Sequence, residues 1–161
     1  MAKGVSPVDA KTLALVSKHS GLLIRPLGVG SVLLEARAVT EPELITDTCI
    51  QDLKKIQNNI VKLDLRNSGI TKQSVEILSS FPRLKSLNLM GTAVSSERIR
   101  ALKKHQKLET LNLVNTNVSD SLIEALVSMP SLRQVHLWRS EFTENGVSLL
   151  RRKNPDLIVS F

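Results

Sequence analysis

Histidines are the residues best suited to acid–base or metal chemistry in this chain, and their spacing serves neither. His19, His105 and His136 fall in three different contexts. None of the short separations by which two imidazoles share a metal ion occurs among them. Asp64 and His136 share a phase of the pattern described below, but three strand steps part them. At about 4.8 Å per strand that is roughly 14 Å, beyond a hydrogen bond. The hydroxyls Ser68, Thr92, Thr116 and Ser140 recur regularly, yet no base recurs beside them to activate a nucleophile. The single Cys49 excludes an internal disulfide and a cysteine-cluster metal site. No glycine-rich phosphate loop, nucleophile elbow or carboxylate pair is present. The expectation is a chain that is not an enzyme, with no catalytic residue, no cofactor and no metal.

The elements that must position these side chains follow from one repeat. Leu63, Leu87, Leu111 and Val135 stand 24 residues apart, as do Leu65, Leu89, Leu113 and Leu137. Ile70, Val94, Val118 and Phe142 follow in the same steps. The L-x-L alternation has period 2, which predicts a short strand with one buried face. Beyond it the apolar spacing lengthens, as in Val94, Ile99 and Leu102, which suits one face of a helix. A single strand–turn–helix unit cannot bury its apolar side, but a stack can. The expected fold is therefore α/β: a leucine-rich-repeat solenoid with a parallel concave sheet and a helical convex face.

The polar positions of the repeat have structural readings. A hydroxyl donates and accepts, so a ladder of Ser68, Thr92, Thr116 and Ser140 would satisfy buried turn backbone. Thr46, Thr71, Ser95, Ser119 and Thr143 stand where helix N-caps belong. Asp47, Glu97, Asp120 and Glu144 follow them, and Lys54 and Lys55, Lys103 and Lys104, Arg151 and Arg152 lie at the other ends. Acid first and base last is the order a helix dipole favours.

Residues 1–161 are expected to form one elongated domain. Residues 1–31 are its N-terminal cap, with a helix beginning at Ser6 and Pro7 and capped by Gly21. Leu22–Leu27 and Ser31–Val39 are expected to pair as strands about Gly28, Val29 and Gly30. Residues 32–59 form a degenerate unit, 60–157 four regular repeats, and 158–161 an edge strand. One residue too many before Leu157 interrupts the 24-residue step there. Cys49 falls on the degenerate unit's helix as a small packing residue.

Composition narrows the partners. The formal charge is +7, and it is uneven: residues 61–161 hold fifteen Lys or Arg against nine Asp or Glu. A basic array suits an anionic partner. Much of this charge, however, lies at helix C-termini, and interleaved stacking aromatics are absent. The chain has no apolar run long enough to cross a membrane. Its first residues contain no apolar core of a secretory signal, which taken alone points to the cytoplasm; a monomer is expected.

The outward strand positions form three columns across the expected concave face. They are Lys62, Ser86, Thr110, Gln134; then Asp64, Asn88, Asn112, His136; then Arg66, Met90, Val114, Trp138. The candidate partner-binding residues are Asp64, Arg66, Asn88, Met90, Asn112, His136, Trp138 and Arg139. Trp and Arg are favoured in interface anchors. Trp138 either anchors a partner or packs over the neighbouring turn or against the next domain of a longer chain. The function expected is a non-enzymatic protein-interaction module that binds a partner on this concave face as part of a larger bacterial protein. The alternatives are a basic nucleic-acid-binding repeat and a scaffold that self-assembles through its terminal strand.

The segments Leu87–Leu126 and Leu132–Val159 resemble the repeats of bacterial leucine-rich proteins of ribonuclease-inhibitor-like build. More narrowly, Leu137, Trp138, Ser140, Phe142, Thr143, Gly146 and Val147, followed by Asn154 and Pro155, resemble the final repeat of planctomycete-type membrane-associated cytochrome c proteins. Leu23–Leu27 with Leu33–Glu35 resembles their pre-repeat cap. That resemblance implies a periplasm-facing module within a longer chain. The family's haem-attachment CxxCH and membrane segments are not in this sequence, so any redox role would belong to other domains.

Overall fold

Alternate leucines turn inward and hold a sheet together. The computed structural model describes residues 4–161, and its strands are β1 (Leu23–Pro26), β2 (Leu34–Arg37), β3 (Ile60–Asp64), β4 (Ser86–Asn88), β5 (Thr110–Asn112), β6 (Gln134–His136) and β7 (Ile158–Ser160). They lie side by side in sequence order in one sheet. β1 and β2 pair antiparallel, as the glycine-flanked turn at 28–30 predicts, and every later pair is parallel. From β3 onward each strand lies beside the one 24 residues later: Leu63 beside Leu87, Leu87 beside Leu111, Leu111 beside Val135. Val135 lies beside Val159, so the step is 24 here too. The interval from Leu132 to Leu157 is one residue longer than in the earlier units, but that from Leu157 to Val159 is one shorter, so the strand keeps its step.

The helices are α1 (Ala10–Ser20), α2 (Asp47–Leu53), α3 (Lys72–Leu78), α4 (Ser96–Ile99), α5 (Ile123–Val127) and α6 (Glu144–Lys153). From α2 to α5 they are short, and three of these four are extended by 3-10 turns: Lys54–Ile56 after α2, Arg100–Lys104 after α4 and Asp120–Leu122 before α5. A 24-residue unit leaves little chain for helix once strand and turns are made, and the tighter 3-10 spiral is used in such short pieces. Ile70, Val75, Leu78 and their counterparts in the later units are buried against the strand leucines. Each fully buried Leu or Ile contributes about 1.5–3 kcal/mol. Truncating one from the middle, such as Leu111, is expected to cost about 2–5 kcal/mol. No helix among the described residues is long and apolar enough to cross a membrane.

Local chemistry departs from expectation in three places. The first helix does not begin at Pro7. It begins at Ala10, because the Asp9 carboxylate accepts from the Thr12 N–H at 2.9 Å and caps it there. The chain before it is held by Asn59, whose buried amide donates to the carbonyls of Ser6 and Val32, both at 2.9 Å. The hydroxyls Ser68, Thr92, Thr116 and Ser140 do not form a ladder. Each donates at 2.6 Å to the carbonyl three residues earlier: Leu65, Leu89, Leu113 and Leu137 respectively. They close their own turns, which is still structural work. Lastly, Thr46, Thr71, Ser95, Ser119 and Thr143 all occupy N-cap positions, but only Thr71 and Thr143 accept from their own helix's N–H groups.

Candidate functional site: the open face of the sheet

The helices cover one face of the sheet, and the side chains of the other stand free. On it the register draws rows across the strands. One row runs Arg25, Glu35, Lys62, Ser86, Thr110, Gln134, Ile158, and the next runs Leu23, Arg37, Asp64, Asn88, Asn112, His136, Ser160. All eight expected binding residues belong to this face or to the turns that end it. Four of them serve local structure first. Asn88 Oδ1 accepts from the Met90 N–H at 3.1 Å, and Asn112 Oδ1 from the Val114 N–H at 3.0 Å. Asp64 Oδ1 accepts from the Arg66 N–H at 3.2 Å in the same way. Asp64 also forms a two-toothed ion pair with the Arg66 guanidinium, which raises the arginine's pKa through that hydrogen bond and charge. The central column thus ends each strand by holding the next N–H but one. His136 makes no such bond.

This local use leaves something over. An Asn whose Oδ1 is occupied still presents two N–H donors from Nδ2, so Asn88 and Asn112 offer donors to whatever lies on the face. Asp64 and Arg66 neutralise one another, as do Glu35 and Arg25 through their own ion pair. Arg37 and Lys62 remain, their side chains exposed and without a hydrogen bond or ion pair among the described residues. They line a groove of about 260 Å³ with Arg25, Glu35, Asp64 and Ser86. Sequence reasoning placed Lys62 on this face but did not select it, and it missed Arg37 and Ile158. The four-residue run Leu34–Arg37 and the three-residue run Ile158–Ser160 were too short a signal to fix which side chains face outward.

At the other end the face becomes apolar. Trp138 is 55% exposed and Ile158 61% exposed. The Arg139 guanidinium lies over the Trp138 ring at 4.4 Å from the centroid, a cation–π stack. Arg139 does this from a left-handed backbone, φ +56°. The same turn position holds Asn67, Gly91 and Asn115, also with positive φ. Gly and Asn adopt that conformation readily, and a long side chain does not. Arg139 is the strained member of its column.

Two groups stand outside this face. Cys49 is half-buried on α2. His105 is buried, its Nδ1 accepting from the Lys107 and Leu108 N–H groups at 3.2 and 3.1 Å. Nε2 therefore carries the proton and donates to the Phe81 carbonyl at 2.9 Å. Burial pushes this imidazole below its ordinary pKa, against a smaller upward pull from Phe81. Among the described residues no cluster of His, Cys, Asp and Glu is placed to hold a metal ion.

No protein-family model and no curated protein matches the chain. A solved structure described as leiomodin-1 actin-binding site 2 is similar in fold, with a TM-score of 0.56. The match covers 69% of this chain and 75% of that one, at 18% sequence identity. At that identity the likeness concerns the fold alone.

Proposed function

We propose that the chain is a leucine-rich-repeat solenoid of the bacterial kind, acting as a non-enzymatic module that docks a protein partner on the open, concave face of its sheet. The observation that carries this reading is the pair Trp138 and Arg139. A large ring stands in solvent on the open face, backed by a guanidinium held in a strained backbone where the parallel turns have Asn or Gly. Strain of this kind costs about 1–3 kcal/mol and persists where function uses it. A rigid Trp with a stacked Arg is what an interface anchor needs. The asparagine donors beside it supply polar contacts. The leiomodin-1 structure is, by its description, an actin-binding site, so a protein partner is a use to which this build has been put.

Self-assembly through β7 is the weaker reading. The groups of Val159 face the free edge, and Arg151 Nη2 already donates to the Val159 carbonyl at 2.9 Å. A covered carbonyl and a nearby charge discourage strand addition.

The test is selection from a displayed library of random dodecapeptides. The competitor is the protein with a neutral polyethylene glycol chain coupled to Asn112→Cys in a Cys49→Ser background. Peptides enriched by the native chain should lose binding to this blocked form and keep it when the polymer sits at Gln51→Cys on α2. Enrichment indifferent to the block, or none at all, would end the reading.

A further inference from the structure

We infer that the open face takes an extended, acidic segment of a partner that ends in an apolar anchor, laid across the strands from β2 to β7. The inference rests on the docking face proposed above and adds the chemistry of what docks there. Its basis is a gradient. The first three strands carry Arg25, Arg37, Lys62 and Arg66 against Glu35 and Asp64 on this face. Two ion pairs cancel four of these charges, so Arg37 and Lys62 leave the groove with an excess of two positive charges. The middle strands are neutral: Ser86, Thr110 and Gln134 in one row, Asn88 and Asn112 in the other. The far end exposes Trp138 and Ile158, with one cation, Arg139, stacked on the ring.

The dimensions suit a short peptide. From Arg37 on β2 to Trp138 after β6 is four strand steps, about 19 Å. An extended chain rises about 3.3 Å per residue, so about six residues span the interval. Backbone groups in the inner strands are spent on the parallel ladder, so the segment must be held by side chains. The Nδ2 donors of Asn88 and Asn112 face its carbonyls, Arg37 and Lys62 its carboxylates, and Trp138 its apolar end. A single-stranded nucleic acid fits less well. Its bases and phosphates alternate, and binding needs rings and cations interleaved. Here a single ring, Trp138, carries a single stacked cation, Arg139, and the unpaired Arg37 and Lys62 lie at the opposite end with no ring between them.

The experiment uses the whole chain and fluorescein-labelled octapeptides, read by anisotropy at 50 and 200 mM salt. The first peptide has two aspartates at one end, two leucines at the other and serines between. A second replaces the aspartates by lysines, a third replaces the leucines by serines, and oligothymidine of eight nucleotides is the fourth probe. The first peptide is expected to bind at least fivefold more tightly than the others. Arg37→Gln with Lys62→Gln should weaken it at least fivefold and remove its salt dependence, and Trp138→Ala should weaken it at least fivefold at either salt. All three are exposed, and circular dichroism checks that the fold is kept. The inference falls if the lysine peptide or oligothymidine binds as well as the first, or if the double variant binds it unchanged. Should the polymer block at Asn112→Cys still abolish peptide binding in that case, the docking face survives and only its assigned chemistry is lost. Should the block leave all binding intact, both fall.

Discussion

The carboxylate of Asp120 grips Thr143 twice: Oδ1 accepts its backbone N–H at 2.9 Å and Oδ2 its hydroxyl at 2.6 Å. Asp120 stands at the start of one helical segment, and Thr143 is the N-cap of the next. Asp47 does the same to Thr71, and Ser96 Oγ accepts from the Ser119 N–H at 2.8 Å. The acid at a helix start therefore serves its neighbour as well as its own dipole. These latches couple successive units on the helical side, as the leucines do in the core.

Asp47 is the most heavily used of these acids, accepting from the N–H groups of Thr71 and Ser74 at 2.9 and 3.1 Å and from both their hydroxyls. Burial opposes its ionisation, but these bonds outweigh it and hold its carboxyl below the usual range. A lowered folded pKa means stability present above the unfolded value of about 3.9 and lost as pH falls through the folded one. Asp47→Ala should cost about 1–2 kcal/mol at pH 7 and flatten the acid limb. Urea titrations from pH 7 to pH 2.5 that show the same slope for both proteins would contradict this.

Gly146 sits where a Cβ would overlap the Asp120 carboxylate. Helix propensity ranks Ala above Ser by about 0.5 kcal/mol. Here the order should invert. Ser74 holds the matching place beside Asp47 and donates its hydroxyl to it, so Gly146→Ser should exceed Gly146→Ala by about 0.5–1 kcal/mol. Equal or reversed urea midpoints would show that the latch gives way freely.

His105 is neutral in the fold, and its depressed pKa fixes the sign of a second pH effect. Below about pH 6.5 the unfolded chain takes up a proton that the folded chain refuses. Stability should therefore fall from pH 7.5 to pH 5. His105→Met, which copies Met129 one step along, should remove that slope. A slope that persists in the variant would place its origin elsewhere.

Arg139→Asn should relieve the left-handed strain and lose the exposed stack with Trp138. The first effect is worth about 1 kcal/mol and the second about 0.5 kcal/mol, so a net gain near 0.5 kcal/mol is expected. A loss above 1 kcal/mol in chemical denaturation would mean that the stack dominates.

Trp138→Ala should change stability by no more than about 0.5 kcal/mol, as substitutions at exposed sites do. Calorimetry that finds a melting temperature several degrees lower would make Trp138 a packing residue and remove the anchor from the proposed face.

The periodic residues were legible because burial acts on every unit alike. Leu63, Leu87 and Leu111 sit in one phase, and the sheet places them side by side. The N-caps were legible from residue type, and so was the face carrying Asp64, Asn88, Asn112 and His136. Arg37 and Ile158 were not, because they lie on terminal strands where the pattern is shortest. The start of α1 was missed because Pro7 and Asp9 are both good initiators, and only the Thr12 N–H shows which one is used.

By itself, then, the sequence determined which residues turn inward and how far apart like positions stand, because a 24-residue step repeats one local burial problem. Tertiary structure alone decided how the polar residues are spent. Whether a carboxylate is free depends on what lies across the strand or in the next unit. Glu35 is tied to Arg25 across the strand and Asp120 to Thr143 in the next unit, while Arg37 and Lys62 meet no side-chain partner among the described residues. Hydrogen bonds and ion pairs act over about 3 Å, and a distance of that kind is set only once the chain has folded.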